Sequence, residues 1–403
     1  MELKKRRLRS WIEAFCDQAA VLHSPLIWRK WVGLSVLAAT LEQKVWMVSG
    51  NQTLYPNLYL FLIGHPGTGK TRTINAGRAY LNHLPEPHFS PNDATWASIL
   101  DCLGKNSRLY LDKDWGDFKY NSLYLCVDEL GTLMSKFDTQ VTKGLSAFYD
   151  PTPYHHTRRT GSIEIKIESP QINMIIGTTP QDLLTFLPES AWGQGFMSRS
   201  IMIFSDERII GDDFAAQTHL HTDDLDYDLG VINDTFGQFN LTPEWISLVN
   251  AWRQEGEHPV PDHPRLTHYN TRRRVNLYKL SMLSCIDRGQ DMIISALDLK
   301  RAFDWLTEAE SLMSDIFKAG AVNSDSQAME DIRHFVIAHD VGWGVSSQNI
   351  ERFARDLLPM ATLERVIQTM VRTGDLHYVG TDAGSKAKFY STQPQRPEAD
   401  AAQ

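Results

Sequence analysis

Four short apolar runs frame the chain: Leu58–Ile63, Leu123–Val127, Asn173–Ile176 and Ile201–Phe204. Continuous runs of this length, bounded by turn residues, read as strands buried on both faces. Helical spacing fills the intervals from about residue 55 to 205, so a parallel sheet covered by helices is expected there. Upstream, residues 1–50 read as helical. Ser24-Pro25 offers a helix start, and the aromatic and aliphatic stretch Leu26 to Leu41, with Ala38-Ala39 inside it, predicts a buried helix. Asp206 to Tyr227 is polar and acidic and reads as a linker. Helical spacing returns from 241 to about 320, with Leu277, Leu280, Ser281 and Ser284 on one face. The expected division is a helical segment over 1–50, an α/β core over 51–210, a helical domain with its acidic linker over 211–325, and a compact unit over 326–392. The Pro/Gln/Ala-rich residues 393–403 are expected to be disordered.

A chain of 403 residues is too long for one ordinary core, which agrees with several domains. With 42% hydrophobic and 22% charged residues it has the balance of a soluble globular protein. No long apolar run is present, and Met1 to Arg7 lacks the apolar stretch of a signal peptide. No membrane partner is expected, and the cytoplasm is the expected location. Cys16, Cys102, Cys126 and Cys285 lie far apart without a CxxC pair, which argues against a zinc ribbon or a disulfide framework. The net charge of −9 means that any nucleic-acid binding must rest on local basic patches.

Chemistry enters at Gly64-His65-Pro66-Gly67-Thr68-Gly69-Lys70-Thr71, which fits the P-loop pattern GxxxxGK[ST] at every fixed position. It follows the first apolar run and precedes a predicted helix from Lys70 to Leu81, the context the motif requires. The glycines let backbone N–H groups close around a triphosphate, Lys70 faces the β/γ-phosphates, and the Thr71 hydroxyl is a ligand for Mg2+. The run Leu123–Val127 then ends in Asp128 and Glu129. Asp128 suits the Mg2+ contact and Glu129 suits polarising an attacking water. The competing reading of the two acids is a plain helix N-terminus at Glu129-Leu130-Gly131. ATP and Mg2+ are the cofactors this pairing predicts.

Two further regions carry basic residues in ordered patterns. Tyr154-His155-His156-Thr157-Arg158-Arg159, then Thr160-Gly161, then the alternating Ser162 to Glu168 predict a β-hairpin with a basic tip. Arg158, Arg159 and Lys166 suit DNA phosphates, and His155 and His156 suit stacking or hydrogen bonding. The alternative is an edge ribbon kept soluble by charge. Near the C-terminus, helices around Met329 to His339, Ser347 to Arg355 and Thr362 to Thr373 precede strands at Leu376 to Val379 and Lys386 to Ser391. Three helices and a β-ribbon describe a winged helix. Its third helix would offer Thr362, Arg365, Gln368 and Arg372 to a DNA groove, with Lys386 and Lys388 on the wing. Glu364, Asp375 and Asp382 dilute that charge, so docking to a protein is the alternative.

Tyr55-Pro56-Asn57-Leu58 leading into the glycine loop, Val127-Asp128-Glu129-Leu130-Gly131, Ile176-Gly177-Thr178-Thr179-Pro180 and Gly195-Phe196-Met197-Ser198-Arg199 occur in that order. Across roughly residues 25–320 they resemble a family of phage and prophage ATPases long catalogued as a domain of unknown function. The layout is similar to the AAA+ branch holding the minichromosome maintenance and superfamily 3 helicases. The resemblance implies an α/β P-loop (AAA+-like) ATPase core with a helical flanking or lid domain, ahead of the C-terminal winged helix. It implies a ring-shaped, often hexameric motor on single-stranded or forked DNA in a bacterial host; whether a primase or replication protein is a further partner stays open. It also assigns roles. Thr178 or Thr179 stands where such proteins carry sensor 1, usually Asn, and the alternative is a threonine turn before Pro180. Arg199 matches an arginine finger acting on a neighbouring subunit's ATP, against a surface salt bridge. Arg272, then Arg273, match the sensor 2 arginines that approach the nucleotide, against a solvated basic helix face. The hairpin would point into the ring channel. A regulatory switch, such as a helicase loader or defence-system sensor, is the rival function. A metabolic P-loop kinase is weaker, because it has no use for a basic hairpin or a winged helix.

Overall fold

Tyr-Leu-Phe-Leu-Ile carries one polar side-chain atom, the Tyr59 hydroxyl, which donates to Leu145 O at 2.7 Å, and in the computed structural model Tyr59–Ile63 (β1) is buried at every position. It lies inside a five-stranded sheet with Ser107–Asp112 (β2), Gly116–Val127 (β3), Pro170–Thr178 (β4) and Ser200–Phe204 (β5). The order is β2-β3-β4-β1-β5. Strands β3, β4, β1 and β5 run parallel, and β2 closes one edge antiparallel to β3. The four apolar runs therefore form the parallel part of a mixed α/β sheet. The edge strand β2 was not expected, because it exposes Leu109 and Leu111 and turns Arg108 and Tyr110 inward, the reverse of the usual alternation. The structure describes residues 5–85, 89–90, 95–112, 116–134, 139–157, 164–187, 189–193, 195–211, 222–289, 291–340, 342–354, 358, 360–381 and 388–393.

The chain forms two compact units, Met1–Phe317 and Lys318–Gln403. In the first, Ser10 caps Trp11–Gln18 (α1) by accepting from Glu13 N at 3.1 Å. Leu26–Leu41 (α2) is buried along most of its length, as its composition implies. Lys70–Leu81 (α3) packs on α2 so closely that a side chain at Gly77 would meet Val32 Cγ1 at 2.4 Å.

The stretch read as an acidic linker, Asp206 to Tyr227, ends inside a helix, Thr222–Asn233 (α4). Leu225, Leu229 and Ile232 recur at helical spacing and are buried, a stripe that the surrounding acids obscured. Asp228 is also buried, taking Arg6 Nε at 3.2 Å and the amides of Arg7 and Leu8. Helices Pro243–Gln254 (α5), Arg273–Arg288 (α6) and Ala296–Ser311 (α7) complete this part, and Leu277, Leu280, Ser281 and Ser284 on α6 are all buried as the spacing predicts.

In the second unit, Ile332, Val336, Ile350, Leu363, Val366, Met370 and Leu376 share one core. The helices Ser347–Ala354 and Met360–Thr373 are followed by strands His377–Thr381 and Lys388–Ser391. A two-residue strand, Val345–Ser346, pairs with Lys388–Ser391 to make three antiparallel strands. Among the described residues, no helix is long and apolar enough to cross a membrane.

Candidate active site at the glycine loop

β1 ends at Ile63 and α3 begins at Lys70, so the glycine loop joins a buried strand to a helix. Gly67 (φ 77°) and Gly69 (φ 90°) adopt left-handed backbone that side chains disfavour. Gly64 is needed for a different reason, close approach. A Cβ there would lie 2.5 Å from the Trp28 ring and 2.7 Å from the Ser205 carbonyl. Thr68 Oγ1 donates to His65 O at 2.6 Å, and Gly64 N donates to Thr178 O at 3.2 Å. Lys70 Nζ donates to Gly64 O at 2.6 Å and to His65 O at 2.8 Å. Burial pushes the Lys70 ammonium below the usual lysine range, while Asp182 and Glu129 act against that shift.

Residues 66–72 line a cleft of about 650 Å³ with Asp128, Glu129, Thr178, Thr179 and Asp182; Leu22, His23 and residues 208–211 also line it. That size is ample for a small-molecule ligand, whose pockets span about 300–1,000 Å³. Sheet order explains how the acids reach it. β4 separates β3 from β1, so the carboxylates at the end of β3 stand two strand spacings, about 10 Å, from the loop strand. Gly177, opposite Leu62 in β4, lets the β3 end come close, since a Cβ there would meet Asp128 O at 2.4 Å.

Glu129 is the N-cap residue of the one-turn helix Leu130–Leu133, yet its side chain caps nothing. Asp128 and Glu129 are exposed to the cleft, and among the described residues neither has an ion pair or a side-chain hydrogen bond. The two threonines separate cleanly. Thr179 Oγ1 accepts from Asp182 N at 3.0 Å and donates to Asp182 Oδ2 at 2.8 Å, capping helix Pro180–Phe186. The threonine-turn reading therefore describes Thr179. Thr178 has a hydroxyl contact of only 3.4 Å, to Thr179 O, and is the better placed of the two to meet a ligand. For Mg2+ the available donors are the Thr71 hydroxyl and the Asp128 carboxylate, hard oxygens that fit an ion completed by phosphates and water.

The sequence-predicted arginines lie elsewhere. Arg199 ends the short helix Gly195–Arg199, where Nη1 donates to Gly195 O at 2.9 Å and Nη2 lies 3.6 Å from Asp150. With Tyr149, Asp150, Thr152, Arg272 and residues 52–55 it lines a second cleft of about 510 Å³. Arg272 thus joins Arg199 rather than Lys70. Burial, then the neighbouring Arg199 charge, push its guanidinium below the ordinary value. Arg273 is a correction to the expected nucleotide contact. It is fully buried, bonded to both Glu310 oxygens (Nε at 2.8 Å to Oε1), and lies over the Trp252 ring. It lines neither the glycine-loop cleft nor the second cleft.

The expected hairpin arms are present, with Tyr154↔Ile167 through Thr157↔Glu164 in antiparallel register. His155 and Lys166 are exposed, whereas Arg158, Arg159, the His156 side chain and Lys386 lie outside the described residues. Arg365, Gln368, Arg372 and Lys388 are exposed in the second unit. Sequence reasoning missed Asp182, which a Thr179-Pro180 cap with an acid in the first turn announces, and the wall formed by His23 and residues 208–211.

No protein-family model matches the chain, and no curated protein does. Fold and site define a mixed α/β protein whose parallel strands bring a glycine loop, a lysine and two carboxylates to one cleft.

Proposed function

We propose that the chain is a Mg2+-dependent ATPase with a P-loop, AAA+-like core, which moves on DNA as a homo-oligomeric ring of phage or mobile-element type. The observation that supports it most is the convergence of Lys70, Thr71, Asp128 and Glu129 on one cleft from two strand ends. Loop amides and the Lys70 ammonium would neutralise the triphosphate, and the Thr71 hydroxyl and Asp128 carboxylate would hold Mg2+. When bound there, the ion would supply positive charge to offset the charge that develops on the transferring phosphoryl group. Glu129, without an ion pair or side-chain hydrogen bond among the described residues, accepts a proton from the attacking water. Thr178 orients that water or the γ-phosphate.

The motor part of the reading rests on the basic hairpin and on the C-terminal unit, read as a winged helix with Arg365, Gln368, Arg372 and Lys388 exposed. Arg199 would serve a neighbouring subunit in a ring, with a hexamer favoured. A primase or replication protein would complete the assembly in a bacterial cytoplasm.

Strand displacement on forked DNA, measured with and without ATP beside ATP turnover, tests the proposal. The native chain should separate strands only with ATP, and Glu129→Gln should bind ATP but stall hydrolysis. Turnover at the parental rate in Glu129→Gln removes the assignment of the acid. ATP-dependent assembly with no displacement leaves a regulatory switch in place of a motor. Reversing Arg158 and Arg159 to Glu should weaken DNA binding and flatten its salt dependence, because fewer counterions are then released.

A further inference from the structure

One wall of the glycine-loop cleft takes no part in the chemistry proposed above. β5 ends at Phe204 beside the start of the loop, where Ser205 N donates to Ile63 O at 3.1 Å. Glu207 N then donates to Ser205 Oγ at 3.2 Å. Further along, Gly211 lies against the His23 ring, so closely that a Cβ would sit 1.9 Å from it. His23 is itself tied down, donating its backbone N–H to Ala20 O at 3.1 Å with φ 51°. Its neighbour Ser24 stands 3.3 Å from the Cβ position of Gly69, at the far end of the loop. Residues 205–211 are thus anchored near both ends of the glycine loop, and Arg208, Ile209 and Ile210 between the anchors line the cleft.

Arg208 is exposed there, and among the described residues its guanidinium has no ion pair or hydrogen bond. It does not sit among the acids. Sheet order puts Asp128 and Glu129 beyond β4 on one side of β1, and β5 with the segment that follows it on the other. A triphosphate whose terminal phosphate meets Glu129 therefore directs its inner phosphates towards the wall carrying Arg208. The other candidate cations on the 272–273 segment are engaged elsewhere, Arg272 in the second cleft and Arg273 in its buried pair.

We infer that Arg208 is a nucleotide-binding residue acting within its own subunit, which clamps the α- and β-phosphates through its guanidinium fork. The inference rests on the ATP reading of the cleft. A guanidinium presents paired N–H donors that match phosphate oxygens, and an ammonium only partly replaces them. Because ATP and ADP share the inner phosphates, the contact contributes to binding both and sets no preference between them.

Equilibrium titration of the full chain with Mg2+-ATP and Mg2+-ADP, in native, Arg208→Ala and Arg208→Lys forms, tests it. Arg208→Ala should weaken both nucleotides by a similar factor, on the order of tenfold or more. Arg208→Lys should recover part of that loss for both. The exposed position predicts native far-UV spectra and melting temperatures for both variants, which separates lost contact from lost fold. Unchanged affinities in Arg208→Ala overturn the inference, and so does a loss confined to ATP, which would place Arg208 at the γ-phosphate. If the native chain binds neither nucleotide, the ATP reading itself falls. Tight native binding with an indifferent Arg208→Ala removes Arg208 alone.

Discussion

The carbonyl oxygen of Asp128 lies 2.4 Å from the point where a side chain on Gly177 would begin. A backbone atom cannot swing aside as the end of a long side chain can, so Gly177→Ala must push the end of β3 away from β4. Overpacking of this kind costs about 1–3 kcal/mol. The displaced element carries both carboxylates, so ATP turnover should fall by roughly tenfold or more for that loss of alignment. Gly230→Ala is the control, because nothing lies within 4 Å of its Cβ position on α4. It should leave turnover alone and stabilise the helix by about 0.5–1 kcal/mol. Equal turnover in native chain and Gly177→Ala would show that the strand-end spacing does not matter.

Arg273 and Glu310 form a different kind of pair, closed to solvent and braced by the Tyr269 hydroxyl at 2.9 Å from Glu310 Oε1. Arg273→Met leaves a buried carboxylate without its cation, a change that typically costs about 3–5 kcal/mol. A lowered melting temperature is therefore expected, with ATP affinity unchanged wherever the variant remains folded. Arg273→Met with Glu310→Leu should recover most of the stability, since no unpaired charge is left. A variant that melts like the native chain but loses ATP would return Arg273 to the nucleotide.

Lys279 donates to Asn57 Oδ1 at 2.7 Å and lies 3.7 Å from the centre of the Tyr149 ring, fully buried between them. Burial pushes its ammonium from 10.5 down to about 7, with Asp150 opposing the shift and Arg199 adding to it. Between those values the unfolded chain holds a proton that the folded chain has lost. Stability from this group therefore rises with pH across that window and is lost as pH falls back towards 7. Buried Lys44, pushed down to about 8, slopes the same way. Urea denaturation at several pH values between 7 and 10 should show the native chain gaining on Lys279→Met by up to about 1.4 kcal/mol per pH unit. Parallel curves for the two proteins would remove Lys279 as the source.

The parts of this molecule that were legible in the sequence are those decided locally. Leu58–Ile63 has no charged residue to contradict a buried strand, and the glycine loop has fixed spacing on both sides. What escaped was decided by distant partners. Arg272 and Arg273 are adjacent and chemically identical, and only Glu310, 37 residues further on, draws one of them into the core. The helix Thr222–Asn233 was hidden because its acids outnumber the apolar stripe that folds it. Arg208 stood in a stretch read as linker, and its place on the cleft depends on Gly211 meeting His23. Thr178 and Thr179 differ only in which hydroxyl caps the following helix, a distinction of backbone direction that composition does not carry.

Arg199 faces Asp150 and Arg272 on the second cleft, away from the cleft lined by Lys70, and this separation sets the last prediction. If Arg199 completes a neighbour's site, turnover should rise more steeply than linearly with protein concentration until subunits assemble. An Arg199→Ala subunit would bind ATP through its own Lys70 yet leave the adjoining site without the cation that stabilises the transition state. Such a cation is worth about 10³–10⁵ in rate, so Arg199→Ala alone should be nearly inactive, as should Glu129→Gln alone. Mixed rings behave differently. Some interfaces then join an intact Glu129 to an intact Arg199, and partial turnover returns. A finger serving its own subunit predicts no recovery, because every subunit in the mixture carries one broken part. Turnover measured across mixing ratios, with mixed assembly verified by differently tagged subunits, distinguishes the two. Absence of rescue in verified mixed rings counts against action in trans, and full activity in a strictly monomeric chain removes the ring.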